Sequence, residues 1–215
     1  MKVGIIGTGD VGRVIGKGLA DLGHEVKIGS RDPKSENVKT WLEKTKGKKT
    51  SAGTFAEAAA FGELVVLATK WDGTENALKL AGPENFSGKV VIDATNPLLF
   101  EPNKPPRLAV GFNDSAGEQV QRWLPKARVV KAFNTVGNTH MVKPDLPCGP
   151  PDMFICGNDG AAKQKVTEIL KSLGWPAIDI GGIEGARYLE PLAMIWIAFF
   201  LRTNTGNHAF KLLRK

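Results

Sequence analysis

One hexapeptide near the amino terminus constrains the fold more than anything else in the chain. Residues 3–6, Val-Gly-Ile-Ile, read as an apolar strand and run straight into Gly7-Thr8-Gly9-Asp10-Val11-Gly12. Val11, Ile15, Leu19 and Leu22 then recur at helical spacing. A G-x-G-x-x-G means little alone, but between a strand and a helix it has a mechanism. The first glycine permits the tight turn, the second lets a pyrophosphate approach the backbone, and the third lets the helix close on the strand. The helix N-terminus adds free N–H groups and a positive dipole end. No Gly-Lys-Ser/Thr follows, which excludes a Walker-type phosphate loop.

The rest of the chain alternates in the same way. Strands are predicted at residues 25–28, 63–68, 90–92, 128–133, 153–156 and 177–180. Helices are predicted at about 35–46, from an N-cap at Thr54, and at 73–81, 115–123 and 161–173. From Glu184 onward the chain reads as helical and apolar. Two proline-rich loops, 96–106 and 144–151, interrupt the alternation. Continuous apolar strands with helices between them imply a parallel sheet covered on both faces. The expected fold is therefore α/β: a doubly wound, Rossmann-type, mostly parallel sheet with a small C-terminal helical portion. The expected division is a dinucleotide-binding domain at 1–136 and a smaller portion at 137–215, packed on it and carrying the acceptor pocket and a dimer contact.

Composition narrows the partners. Lys plus Arg number 29 against 22 Asp plus Glu, so the chain is basic enough for nucleic acid, an anionic membrane or a nucleotide phosphate. No basic stripe interleaved with aromatics, helix-turn-helix or zinc finger is visible, so nucleic acid is not expected. No apolar leader follows Met1-Lys2. The longest apolar stretch, 189–201, has Glu190 and Pro191 at its start and falls short of the roughly 20 residues of a membrane span. Membrane partners are not expected either. That stretch is apolar on every helical face, which predicts burial against the body and against a second copy, in a homodimer. Cys148 and Cys156 make no disulfide framework and suit a reducing, cytoplasmic setting.

The end of the second strand selects the nucleotide. An NAD binder places an acid there for the ribose hydroxyls, whereas this chain reads Gly29-Ser30-Arg31-Asp32-Pro33-Lys34. A hydroxyl and a guanidinium suit a 2′-phosphate, so NADP is preferred, with Ser30, Arg31 and Lys34 as its ligands. Asp32 has two open roles, capping the next helix or touching the ribose. Lys39, Lys44, Lys46, Lys48 and Lys49 read mainly as a solvated face. In a doubly wound sheet the ligand lies beyond the carboxyl ends of the strands. The further candidates are thus Thr69, Lys70 and Trp71, then Asn96 and Pro97, then Ala132 and Asn134. Trp71 either covers the cofactor or fills the core edge. Asn96 and Asn134 either orient an amide or ring carbonyl or serve as turn residues.

No acid–base constellation emerges. His24, His140 and His208 are scattered, and the cysteines lack metal-ligand pairing. No catalytic side chain and no metal site is expected. That pattern suits hydride transfer between two bound cofactors, where the protein mainly orients them.

The chain resembles the NADPH-dependent, coenzyme F-420-type oxidoreductases and the cytosolic reductase domain of the STEAP metalloreductases. The matching segments are Gly-Thr-Gly-Asp at 7–10, Gly-Ser-Arg at 29–31, Val-Val-Lys-Ala-Phe-Asn-Thr-Val at 129–136 and Phe-Ile-Cys-Gly-Asn-Asp at 154–159. The resemblance implies that residues 7–12 hold the pyrophosphate and that Ser30 and Arg31 hold the 2′-phosphate. The strand ends at 68–71, 96–97 and 132–134 would lie beside the nicotinamide. It also implies a ring acceptor, either coenzyme F-420 or FAD/FMN. The archaeal deazaflavin enzymes tend to carry His where Asn134 stands, and the STEAP proteins continue into a transmembrane haem domain, which is not expected here. Two rivals are a hydroxyacid or imine dehydrogenase and an NADP(H)-binding redox sensor without turnover.

Overall fold

The computed structural model describes residues 1–215. The chain opens β1 (Lys2–Ile6), α1 (Asp10–Asp21), β2 (Glu25–Ser30), α2 (Glu36–Lys44), β3 (Thr50–Thr54), α3 (Phe55–Phe61), β4 (Leu64–Leu67), α4 (Trp71–Ala81) and β5 (Val90–Asp93). A hairpin of β6 (Leu98–Leu99) and β7 (Arg107–Leu108) leads to α5 (Ala116–Trp123) and β8 (Arg128–Lys131). The chain ends with β9 (Met153–Gly157), α6 (Gly160–Ser172), β10 (Ala177–Asp179) and α7 (Ala186–Thr203).

Eight strands form one sheet in the order β3-β2-β1-β4-β5-β8-β9-β10. All neighbours pair in parallel except β8 and β9, which are antiparallel. The expected doubly wound, mostly parallel fold is present. The order reverses between β1 and β4, which makes the mouth between them the topological switch point. The boundary expected at residue 136 falls between β8 and β9, hydrogen-bonded neighbours in this one sheet.

Each central strand is buried on both faces, so successive residues feed two cores. Ile5, Leu64, Val66, Val90 and Ile92 pack under α1, α2 and α6 through Ile15, Trp41 and Val166. Ile6, Val65, Leu67 and Val91 pack under α3, α4 and α5 through Ala58, Leu78 and Val120.

Several elements depart from the sequence expectation. β3 has the polar sequence Thr-Ser-Ala-Gly-Thr and gives no apolar run, because as the sheet edge it buries little. β6 lies inside the proline-rich loop 96–106 and pairs with β7 just past its end. The C-terminal helix α7 begins at Ala186, close to the expected Glu184, and carries Pro191 inside it. That helix ends at Asn204, which adopts φ 52°, and the last residues run on without regular structure. They return to the body, where the Asp152 N–H donates to the Phe210 carbonyl (2.9 Å) and the Leu212 N–H to Asp152 Oδ2 (2.8 Å).

Thr54 caps α3 as expected. Its hydroxyl accepts from the Glu57 N–H (3.2 Å), and the Glu57 carboxylate accepts from the Thr54 N–H (2.7 Å). Thr54→Ala should lower the unfolding free energy by about 1 kcal/mol in a urea titration. An unchanged midpoint would show that this capping box is not formed.

Candidate functional site

Register brings the candidate residues together. Ile6 pairs with Gly29 on one side and Leu67 on the other, Leu67 pairs with Asp93, and Asp93 with Lys131. Five adjacent parallel strands thus align in one row. The residues just past that row are Gly7, Ser30, Ala68, Ala94 and Ala132, so every candidate segment lies on a single edge of the sheet.

The glycine loop is shaped by contact and by vacancy. Gly7 has φ +119°, and a Cβ there would lie 2.4 Å from the Ala68 carbonyl oxygen. The loop is therefore pressed against the end of β4. A Cβ on Gly12 would lie 2.3 Å from the Gly7 carbonyl oxygen. Gly9 is different: a Cβ there would meet nothing within 4 Å, and its φ of −71° suits any residue. Neither turn nor cap bonds engage the N–H groups of Thr8, Gly9, Asp10, Val11 or Gly12. Five donors and an open space over Gly9 fit a pyrophosphate. Asp10 does not close the cradle, because its carboxylate pairs with Arg13 (2.5 Å).

Ser30 is nearly buried at the end of β2, and its hydroxyl accepts from the Asp32 N–H (3.2 Å). Asp32 Oδ1 accepts from the Lys34 N–H (2.9 Å). Asp32 therefore shapes this turn, and Ser35 occupies the N-cap of α2. Arg31 and Lys34 are exposed and in no ion pair, so their charges stay available.

At the end of β4, Thr69 bonds Thr74 (2.8 Å) and the Lys70 carbonyl accepts from Thr74 Oγ1 (2.9 Å). These bonds fix the first turn of α4, which starts at Trp71 and not at residue 73. The Trp71 ring stacks on Trp123 of α5 at 5.5 Å between centroids. The indole thus faces α5 and is held there by ring contact. Asn96 and Asn134 bond each other. Asn96 Nδ2 donates to the Asn134 carbonyl (2.7 Å), and Asn134 Nδ2 donates to Asn96 Oδ1 (3.2 Å) and to the Leu189 carbonyl (2.9 Å). Both Asn134 amide hydrogens are used, so it has none left to give a ring carbonyl. Its Oδ1 is buried without a partner. Pro97 and Ala132 are buried beside this pair, and the Pro97 carbonyl accepts from the Ala109 N–H (2.7 Å).

Sequence reasoning missed the charged group beneath these strand ends. Lys131 and Asp93 are 0% exposed and Glu190 is 1% exposed. Lys131 Nζ donates to Asp93 Oδ2 (2.8 Å) and the Thr95 carbonyl (3.0 Å) and lies 3.2 Å from Glu190 Oε1. Glu190 also accepts from the Ala116 and Gly117 N–H groups at the start of α5 (both 3.0 Å). Burial alone pulls the Lys131 pKa down, but the two carboxylates more than reverse that and hold it raised. Burial pushes Glu190 above the usual carboxylate range against the pull of Lys131. The only sequence signal was a Lys and an Asp closing strands that are otherwise apolar on both faces.

An open cleft of about 780 Å³ lies between residues 106–112 and α7, lined by Arg107, Leu108, Phe112, Tyr188, Pro191 and Met194 among others. It contains none of the candidate residues. It borders their edge through the Pro97–Ala109 and Asn134–Leu189 bonds. Among His, Cys, Asp and Glu no metal-holding group forms, and no helix is long and apolar enough to cross a membrane.

Comparison with known proteins gives a consistent picture. Residues 2–97 match the family described as "NADP oxidoreductase coenzyme F420-dependent". The F420-dependent NADP reductase of Methanocaldococcus jannaschii is 31% identical over 213 residues, covering 94% of this chain and 93% of that one. Metalloreductase STEAP3 of Rattus norvegicus is 30% identical over 200 residues, but the match spans 90% of this chain and only 36% of that protein. A solved structure from Arthrobacter sp. FB24 is 43% identical and covers 100% of both chains with a TM-score of 0.94. The imine reductase of Bacillus cereus shares the fold at a TM-score of 0.63 and 19% identity, with 59% of its chain covered.

Gly9→Val tests the cradle. A valine at that position should cost about 1 kcal/mol of stability or less, as a poorer N-cap in open space. NADPH affinity should fall roughly a hundredfold. A folded variant with normal affinity would move the phosphate site elsewhere.

Proposed function

The chain belongs to the coenzyme F420-dependent NADP oxidoreductase family, and on that premise we propose that it passes a hydride between NADPH and the deazaflavin coenzyme F-420. The observation that carries this reading is the single row of strand ends, with five free backbone donors at one end and Ser30 and Arg31 one strand away. Thr8 to Gly12 hold the pyrophosphate. Ser30, Arg31 and Lys34 hold the 2′-phosphate, because the exposed guanidinium and ammonium are unpaired and offer charge-assisted bonds. Gly7, Thr69, Lys70, Trp71, Asn96, Pro97, Ala132 and Asn134 form the wall for the nicotinamide half, Trp71 and Asn134 from behind.

When both cofactors are bound, the chemistry they would supply is hydride transfer between two planar rings, with the reduced acceptor ring then taking up a proton from solvent. The protein's task is then to orient the rings and exclude water. The cleft beside α7 is the space for the acceptor ring, since it adjoins the nicotinamide wall and is largely apolar. FMN belongs in the assay as the competing acceptor. If NADPH is oxidised with neither coenzyme F-420 nor FMN, the oxidoreductase reading of this site fails and a sensor role replaces it.

Arg31→Ala should weaken NADPH tenfold to a hundredfold, the equivalent of about 1.5–3 kcal/mol, and leave NADH nearly unchanged. Equal losses for both nucleotides would remove Arg31 from the 2′-phosphate.

We also propose a homodimer through α7. One face of the helix is buried through Leu189, Glu190 and Ala193. The other presents Tyr188, Ile195, Phe199 and Leu201 at 72%, 61%, 48% and 56% exposure. So apolar a face is the kind that a second copy covers. Light scattering should give twice the 23.1 kDa of one chain; a monomer at micromolar concentration would refute the dimer.

A further inference from the structure

The buried charges make no contact with solvent and no contact with the glycine loop, yet they sit under the nicotinamide end of the site. Each is fully engaged. The three Lys131 hydrogens have three acceptors: Asp93, the Thr95 carbonyl and Glu190. Asp93 Oδ1 takes the Thr95 N–H (2.9 Å) and hydroxyl (2.7 Å). Glu190 takes two N–H groups of α5. Two chains of bonds lead outward from here. One runs through Thr95, held at both its N–H and its carbonyl, to the adjacent Asn96. The other runs through Glu190, which seats α7 so that the neighbouring Leu189 carbonyl meets Asn134. The chains meet where Asn96 and Asn134 bond each other.

We propose that the Lys131–Asp93–Glu190 cluster is the positioning device for the nicotinamide half of the site. It acts through Thr95 and Leu189 on the Asn96–Asn134 pair, and Glu190 is a positioning residue. This rests on the NADP reading above. Stability alone does not call for such a cluster, because well-packed apolar residues serve a core as well as a buried ion group does. Strain at the same place points the same way. Phe133, between Lys131 and Asn134, is 1% exposed and has φ +66°, a conformation that a bulky residue keeps only where its surroundings enforce it. The loop carrying Asn134 is thus held in a costly shape by the strand end that carries Lys131.

The test uses Glu190→Gln, which keeps the side chain's shape and removes its charge, with a melting curve to verify folding. Calorimetric titration compares NADPH with adenosine 2′,5′-bisphosphate, which has the adenosine half and lacks the nicotinamide. Glu190→Gln should weaken NADPH about tenfold and leave the bisphosphate within about twofold. In an Asn134→Ala background the same change should cost NADPH little more, because both act along one path. Equal loss for both ligands, no loss for either, or full additivity with Asn134→Ala would overturn the proposal. Wild-type protein that fails to bind the bisphosphate would overturn the NADP reading itself, a result distinct from any of these.

Discussion

A lysine ammonium with no exposure to water governs the carboxyl edge of this sheet. Removing such a charge from solvent is tolerable only if its hydrogen bonds are all returned. Lys131 achieves that with Asp93 on β5, the Thr95 carbonyl just beyond it and Glu190 on α7. Those partners cannot drift without orphaning a charge, so β5, β8, α5 and α7 are fixed relative to one another. The same surroundings make Cys156 inert: burial pushes its thiol up to about 12, far from the thiolate form that reacts.

The glycine loop and the ion cluster divide the edge between them. At β1 the proposed ligand surface is the backbone itself, with Gly7 pressed on β4 and Gly9 left open. At β5 and β8 the backbone is held by side chains, because Thr95 and Asn134 have no helix start to fix them. Arg31 and Lys34, the charges proposed for the 2′-phosphate, stay outside in solvent, where a dianion can reach them without desolvating a buried group. The cradle therefore needs little beyond correct turn geometry, whereas the nicotinamide wall needs long-range construction.

That division explains what the sequence could tell. The glycine loop's strand-turn-helix setting and the Thr54 cap are local devices, legible because neighbouring residues carry the whole mechanism. The central strands are legible because burial on both faces leaves an unbroken apolar run. β3 is not, since its edge position asks for little apolar surface. The ion cluster escapes because its partners are remote in sequence: Lys131 lies 38 residues from Asp93, and Glu190 lies 74 residues from Ala116. Trp71 was ambiguous for the same reason, since the ring that receives it, Trp123, belongs to a distant helix.

The joint between α5 and α7 shows why the inner charges are a different kind of feature from the outer ones. Outside, Asp114 pairs with Arg122 (2.7 Å), and Glu118 takes Arg187 Nε (2.8 Å). The Arg122 bond brings Asp114 down to about 2 despite some burial, and the Arg187 bond lowers Glu118 likewise. A carboxylate with a depressed pKa stabilises the fold above its unfolded value, and that contribution is lost as the pH falls through its folded value. The outer pairs therefore support the joint throughout the neutral range. Glu190 has the opposite sign. Its raised pKa means that its contribution is present below the unfolded value and lost as the pH rises through the folded one. Its ionisation thus opposes stability, yet it stands on the buried face of α7 with three donors on its two carboxylate oxygens. A charge kept where burial works against it is placed for geometry, and the geometry it sets is that of Leu189, Asn134 and Asn96.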